Sequence, residues 1–232
     1  MNLLQITNQC CYRTGDTPVR SLFEDQDNAL EWLGYLSQAA AIIKDEHRWS
    51  VAKRDKTIIT SGNKAEYDLP EDFEEMATYQ IYNLTNQRFI PCASDDEELY
   101  KQATRNVSQS TIRFRILNNK IVFTYPIEDG LTLKYTYLTK DICKNVDANN
   151  NVYYSETFSK DTDEFIYDDE LLILKAIALR AVNLGFPEAD RRESDYQDKL
   201  EKCVTKDGGN MKFNVYEEVL VNKTTPVLWS QR

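Results

Sequence analysis

The 232-residue sequence has a single histidine, His47, and that scarcity removes more chemistry than most residues add. Ser-His-Asp and Cys-His catalysis could draw only on that side chain, and a multi-histidine zinc site cannot be assembled. Glycine and proline are sparse, at 7 and 6, which excludes collagen-like and low-complexity architectures. Gly15, Gly34, Gly62, Gly130, Gly185, Gly208 and Gly209 form neither a GxxxxGK[ST] nor a GxGxxG pattern, which argues against a glycine-rich phosphate cradle. No run of about 18 apolar residues occurs. The opening MNLLQITNQCCYRTG has no basic stretch before its short apolar patch, so a soluble chain without a signal peptide is expected.

Positive charge is also in deficit. With 28 Lys and Arg against 38 Asp and Glu, the formal net charge is -10, which repels a phosphate backbone. Residues 1–200 carry 23 basic and 34 acidic side chains and residues 201–232 carry 5 and 4, so the negative charge belongs to the body of the chain. Cys10, Cys11, Cys92, Cys143 and Cys203 are odd in number and lack CxxC spacing, which argues for thiols and a reducing compartment rather than a disulfide framework.

What is present is apolar and aromatic material, 41% hydrophobic with 14 Tyr, 9 Phe and 3 Trp, enough for one large or two small domains. Residues 3–12 can form a short helix. A second, capped by Asp25 or Asp27, runs to about Trp49 with Leu30, Leu33, Leu36, Ala40, Ile43 and His47 on one stripe. The period then becomes two. Residues 56–60 and 65–69 flank Ser61-Gly62-Asn63-Lys64 and predict a hairpin, followed by a Leu69-Pro70-Glu71-Asp72-Phe73 corner and a strand over 76–83. The spacing of Ser94 and Glu97 predicts a capped helix over 94–105. Strands are predicted at 111–117, 120–125 and 131–138, linked by Asn118-Asn119 and by Glu128-Asp129-Gly130. Residues 144–163 keep no period and predict an exposed loop.

From Asp168 a helix is apolar nearly all round, with Lys175 and Arg180 as exceptions, and it stops at Gly185-Phe186-Pro187. Such a helix needs cover on several sides. The next, over 188–205, is amphipathic through Tyr196, Leu200, Cys203 and Val204, with Asp195-Lys199 and Asp198-Lys202 as pairs at four-residue spacing. The fold class is therefore α+β, with a helical bundle from residues 1–50 and 165–205, an antiparallel β-rich insertion over 51–164, and an extended C-terminal arm over 206–232. In the arm, Phe213, Val215, Val219, Val221, Leu228 and Trp229 are candidates for burial in a partner, and addition to a neighbour's sheet edge is one natural use.

Catalytic and metal signals are thin. Glu24/Asp25, Glu71/Asp72, Asp95/Asp96 and Asp168/Asp169 are acid pairs of the kind a glycosidase uses, but a chain with 38 acids produces such pairs by chance. Asp161, Asp163 and Asp168 lack the glycine and terminal glutamate of a calcium loop. His47 reads as a hydrogen-bonded packing residue, and no cofactor is called for. Lys53, Arg54 and Lys56, with Arg113 and Arg115, are the local basic clusters, suited to DNA phosphate or to an acidic neighbouring subunit.

Glu46-His47-Arg48-Trp49-Ser50, Thr57, Thr60, the Gly62-Asn63 turn and Glu66-Tyr67-Asp68-Leu69-Pro70-Glu71-Asp72-Phe73 together follow a W…T…G…Y-x-LP-x-DF pattern. It resembles the head-to-tail adaptors of short-tailed phages, the tail tubular protein A or tail accessory factor group. Asn118 to Phe123, Gly130 to Tyr137 and Asp168 to Leu172 extend the likeness, which covers about residues 28–200. The sequence departs from that group in its Asn- and Tyr-rich loop at 144–159 and in having no proline before Glu170.

The resemblance implies a non-enzymatic virion protein. It would form a homo-oligomeric ring, typically of twelve copies, that joins the portal protein to the tail nozzle or tube. The ring would line the channel for genome ejection, with DNA passing through without specific binding. It implies no membrane partner, and assembly in the host cytoplasm. The frequent Lys, Asn, Ile and Tyr suggest an AT-rich genome such as those of crAss-like phages. Two other readings compete: a virion peptidoglycan hydrolase using Glu71 or Asp72, and a cytosolic protein-interaction module.

Overall fold

A computed structural model of the chain describes residues 1–23, 27–93, 112–147 and 149–208. The predicted helix over 94–105 and the arm beyond Gly208 lie outside the described residues. The chain divides into two compact units, one of residues 1–3 and 50–167 and the other of residues 4–49 and 168 onward.

In the first unit a 3-10 turn, Ser50–Ala52, leads into β1, Lys53–Ile59. There follow β2 Glu66–Asp68, β3 Phe73–Met76, β4 Gln80–Asn83, β5 Arg88–Pro91, β6 Phe114–Leu117, β7 Lys120–Phe123 and β8 Thr132–Thr139. β9 Cys143–Val146, β10 Val152–Ser155 and β11 Glu164–Phe165 complete the set. All named ladders are antiparallel. One sheet runs β1-β8-β4-β5 with β3 also on β8, a second runs β2-β7-β6, and a third runs β10-β9-β11. β8 alternates as its sequence predicts, with Leu133, Tyr135 and Tyr137 buried. Those side chains join Met76, Ile81, Phe114 and Phe123 in one core cluster. Asn118 and Asn119, at φ +51° and +59°, form the two-residue β6–β7 turn that the right-handed twist of the strands favours.

The predicted hairpin across Gly62-Asn63 does not form. β1 pairs β8 and β2 pairs β7, because the polar groups of the turn are taken by the 127–131 segment. The Thr60 hydroxyl donates to the Glu128 carbonyl at 2.6 Å and accepts from Leu131 N at 2.9 Å, while Asn63 N donates to Asp129 at 2.8 Å. The strand predicted over 76–83 is two strands, β3 and β4, and β5 was not predicted. Within the strand predicted over 111–117, Phe114 is buried while Ile112 and Ile116 are exposed.

The predicted loop over 144–163 is also corrected. It contains the β9–β10 hairpin, closed by the Asp147 carboxylate, which accepts from Asn149 N at 2.7 Å and Asn151 N at 2.8 Å. Its polarity is inverted: Asn145 is buried and Val146 exposed. Asn145 donates to the buried Asp163, which also takes Ser159 N at 2.6 Å and Lys160 N at 2.8 Å. Periodicity had nothing to detect there.

In the second unit α1 spans Leu3–Thr14, its first residue belonging to the other unit, and α2 spans Asp27–Glu46, ending before Trp49. The buried stripe of α2 centres on Trp32, Leu36, Ala40 and Ile43, whereas Leu30 is exposed. α3, Asp169–Asn183, packs against α2 and against α4, Ala189–Lys206. Its exceptional charges are enclosed rather than solvated. Lys175 donates to both Glu193 oxygens, at 2.8 and 3.0 Å, and sits 4.4 Å from the Tyr196 ring. Arg180 meets Asp16 at 2.9 Å and stacks over Trp32 at 4.9 Å. Pairing offsets the heavy cost of taking these cations out of water.

Asp168 is the N-cap of α3, accepting from Leu171 N at 3.1 Å, and its other oxygen takes Lys199 of α4 at 3.0 Å. Lys199 thus serves a partner outside its own helix, not Asp195 as predicted from spacing. At the far end Gly185, at φ +67°, donates to Val182 O and Phe186 N to Ala181 O, a Schellman stop.

Replacing Gly185 by Ala forces a Cβ into the left-handed region, and a loss of about 1 kcal/mol in urea unfolding is expected. Acid should act on the same unit. Burial works against the charged forms of Asp168 and Glu193, but hydrogen bonds from Lys199 and Lys175 outweigh it and hold both below the usual range. Their contribution to stability is full above the unfolded values, about 3.9 and 4.3, and is lost as pH falls through the lower folded values. Melting temperature should therefore drop as pH is lowered through about 4, and drop less steeply in Glu193→Gln.

Candidate interaction surfaces

The Leu69-to-Phe73 corner is the most distinctive motif of the sequence, and its chemistry is structural. Pro70 O accepts from Phe73 N at 3.1 Å, turning the chain, while Leu69 is buried. The Asp72 carboxylate then accepts the Tyr137 hydroxyl at 2.9 and 3.0 Å and the Thr139 hydroxyl at 3.0 Å, and Phe73 stacks on Tyr137 at 5.7 Å. Thr139 lies 3.0 Å from Asp141 as well, and one hydroxyl proton serves only one carboxylate at a time. Burial, opposed by the Thr139 bond and reinforced by the Asp72 charge, holds Asp141 above the usual carboxylate range. Burial, with the Asp72 charge, pushes the Tyr135 phenol up to about 12. Glu71, the other acid of the hydrolase reading, is exposed.

The predicted basic residues fall in two places. β1 is an edge strand: among the described residues its strand partner is β8. Lys53 and Lys56 stand exposed on it, with no carboxylate partner among the described residues. Arg54 lies 5.1 Å from the Tyr154 ring and donates to Val51 O at 2.7 Å, and Asp55 is neutralised by Lys134 at 2.7 Å. Arg115 lies on β6 in a different sheet, and Arg113 stands just before that strand; both are half-buried.

An apolar patch with no local sequence signature lies on the outer face of the β1-β8-β4-β5 sheet. By register Ile59 lies beside Thr132, Tyr82 beside Lys134, and Phe89 beside Tyr82, on a face where Ile59 is 71% and Phe89 64% exposed. The Tyr82 and Phe89 rings meet at 4.9 Å, and Leu84, also exposed, follows at the next outward position. In the helical unit Val182, Leu184 and Phe186 form a second exposed set at the α3–α4 turn. Apolar side chains grouped on a surface mark contact regions more often than isolated ones do.

Sites for small ligands are not prominent. A dent beside Arg180, Phe186 and Arg192 has a volume of about 20 Å³, far below the ~300–1,000 Å³ of most small-molecule sites. Among the described residues no group of three or more His, Cys, Asp and Glu could hold a metal ion. All five cysteines are thiols, and burial pushes Cys143 up to about 12, so they are poor nucleophiles. His47 is buried edge-on to Trp49 at 4.9 Å, with Nε2 3.2 Å from Asp207. Among the described residues no helix is long and apolar enough to cross a membrane. Phe213, Val215, Val219, Val221, Leu228 and Trp229 lie outside the described residues.

The described surface thus offers two exposed apolar groups and a basic sheet edge. Residues 1–211 match the model of the SU10 adaptor protein family, and the chain belongs to that family of phage structural adaptors. No curated protein matches the sequence. Membership places the protein in the virion, in association with other virion components such as portal and tail. The family is a structural one and generally non-enzymatic.

Asp72→Ala discriminates between the two roles of the corner. Removing a structural acceptor takes away the partner of the Tyr137 hydroxyl, while Thr139 keeps Asp141 within reach, and should cost about 1–3 kcal/mol in urea unfolding. A carboxylate held for catalysis would instead be neutral or stabilising to replace.

Proposed function

We propose that the protein is a head-to-tail connector, a ring of this chain that joins the portal to the tail nozzle or tube and lines the channel through which the genome leaves. The family match over residues 1–211 carries this reading. The charge distribution supports it. Residues 1–200 hold 34 acids against 23 bases, and a wall of that sign lets DNA slide past without the counterion release that makes it stick.

Within this reading the ring has twelve copies and assembles in the host cytoplasm, and the virus is a crAss-like phage. The chain keeps the division drawn from its sequence: a helical bundle, a β-rich insertion, and a C-terminal arm that anchors each copy. Phe213, Val215, Val219, Val221, Leu228 and Trp229 are the arm's buried anchors in the portal or in a neighbouring copy. Lys53, Arg54, Lys56, Arg113 and Arg115 serve subunit contacts rather than DNA, since Arg54 is already committed to Tyr154 and Val51.

Removing residues 208–232 should abolish attachment to portal rings of the same virus, measured by co-sedimentation. Undiminished attachment would sink the arm's role.

A further inference from the structure

We propose that the corner at Leu69 to Phe73 is fastened by a single proton: Asp141 carries it and donates it to the Thr139 hydroxyl, which donates its own to the Asp72 carboxylate. The clamp is thereby a pH-sensitive device, closed in mild acid and eased as that proton leaves.

The hydrogen bonds at Thr139 lead to this. Its Oγ lies 3.0 Å from an oxygen of Asp72 and 3.0 Å from an oxygen of Asp141, and the Asp141 backbone N–H donates to it at 3.3 Å. A hydroxyl offers one proton and two lone pairs. With both carboxylates ionised, one of the two 3.0 Å contacts sets oxygen against oxygen with no proton between them. With a proton on Asp141 every position is filled: the hydroxyl proton goes to Asp72, and the lone pairs take the N–H and the O–H of Asp141. The extra proton belongs on Asp141 because Tyr137 already donates to Asp72, at 2.9 and 3.0 Å, whereas among the described residues the Asp141 carboxyl has Thr139 as its hydrogen-bond partner.

The surroundings favour the same assignment. Thr139 is 1% and Asp141 8% exposed, and a buried carboxylate without a cation beside it takes up a proton instead. The charged and titratable groups that face Asp141 are Asp72 from the corner, Arg54 from β1, Lys140 beside it in the chain and Cys143 on β9. Both cations are committed elsewhere, Arg54 to Val51 O and the Tyr154 ring, and Lys140 to Glu156 at 3.2 Å. Cys143 is a thiol, and Tyr135 and Tyr137, the phenols that face Asp72, are pushed up by burial, so none of them supplies a countercharge.

What the proton controls is local. Lys140 N donates to the Asp72 carbonyl at 2.8 Å, so the corner is tied to the end of β8 by backbone as well as by side chain. Losing the proton sets two negative charges against each other across that tie. Burial holds the folded Asp141 above the unfolded value of about 3.9, so its contribution is full below about 3.9 and is lost as pH rises through the folded value. Asp168 and Glu193 in the other unit have the opposite sign, and the two units therefore answer acid in opposite directions.

The full chain provides the test. A carboxyl-detected NMR titration of the unaltered protein should place the Asp141 midpoint above the ~3.9 of a free aspartate. The midpoint should move down in Asp72→Asn, which removes the like charge and keeps an acceptor for both hydroxyls. Amide exchange reads the corner itself. Protection of Lys140 N–H should fall as pH rises through the midpoint in the unaltered chain, and stay level in Asp141→Asn, whose side-chain amide donates to Thr139 at every pH. Asp141→Asn should also melt near the unaltered temperature at pH 4 and above it at pH 7. An Asp141 midpoint at or below ~3.9, a midpoint indifferent to Asp72→Asn, or Lys140 protection lost alike in both chains would overturn the inference. If Asp141→Asn fails to fold, the titration of the unaltered protein decides by itself.

Discussion

The first unit hangs on β8. Over eight residues this strand pairs β1, β3 and β4, sends Leu133, Tyr135 and Tyr137 into the core, and offers two hydroxyls to the Asp72 carboxylate. The corner at Leu69 to Phe73 acts by bringing that carboxylate to the end of β8, so that the place where the chain turns is also where the sheet is clamped. A polar clamp beside an apolar core is costly unless complete, and here three oxygens converge on the available protons. The pattern of Leu, Pro, Asp and Phe in the sequence is a record of this arrangement.

The second unit depends in the same way on α3, whose apolar surface is covered by α2 and α4. Its two interior cations could have been liabilities. Lys175 and Arg180 each gain a carboxylate and an aromatic face, so the charges add direction to packing that apolar contact alone would leave free to slide. Asp168 joins the start of α3 to α4 through one side chain used twice, as cap and as ion-pair partner.

The limits of α1, α3 and α4, the Asn118-Asn119 turn, the Gly185 stop and the strong alternation of β8 were legible because each depends on residues near in sequence. The misreadings share a different cause. Gly62-Asn63 is a good local hairpin turn, but Thr60 and Asn63 spend their polar groups on residues almost seventy positions away, which no local pattern encodes. β9 and β10 escaped notice because a buried Asn145 and an exposed Val146 invert the usual alternation. Lys175 stood out only as an exception on an apolar helix, and no local pattern names Glu193 and Tyr196 as the groups that enclose it. Of the contact surfaces, the basic edge could be read from Lys53, Arg54 and Lys56, but the patch of Ile59, Tyr82, Leu84 and Phe89 is drawn from three strands and exists only once register is known.

The division of the chain has a mechanical consequence. Backbone passes between the two units at three points, after Leu3, after Trp49 and after Tyr167, and the first crossing is tied down by Leu3 N donating to Asp163 O at 2.7 Å. No single cleavage at one of these crossings can release either unit, and a pull applied to one unit is shared among several covalent connections rather than borne by one linker. For a structural component of a virion, redundancy of this kind guards against failure by a single break.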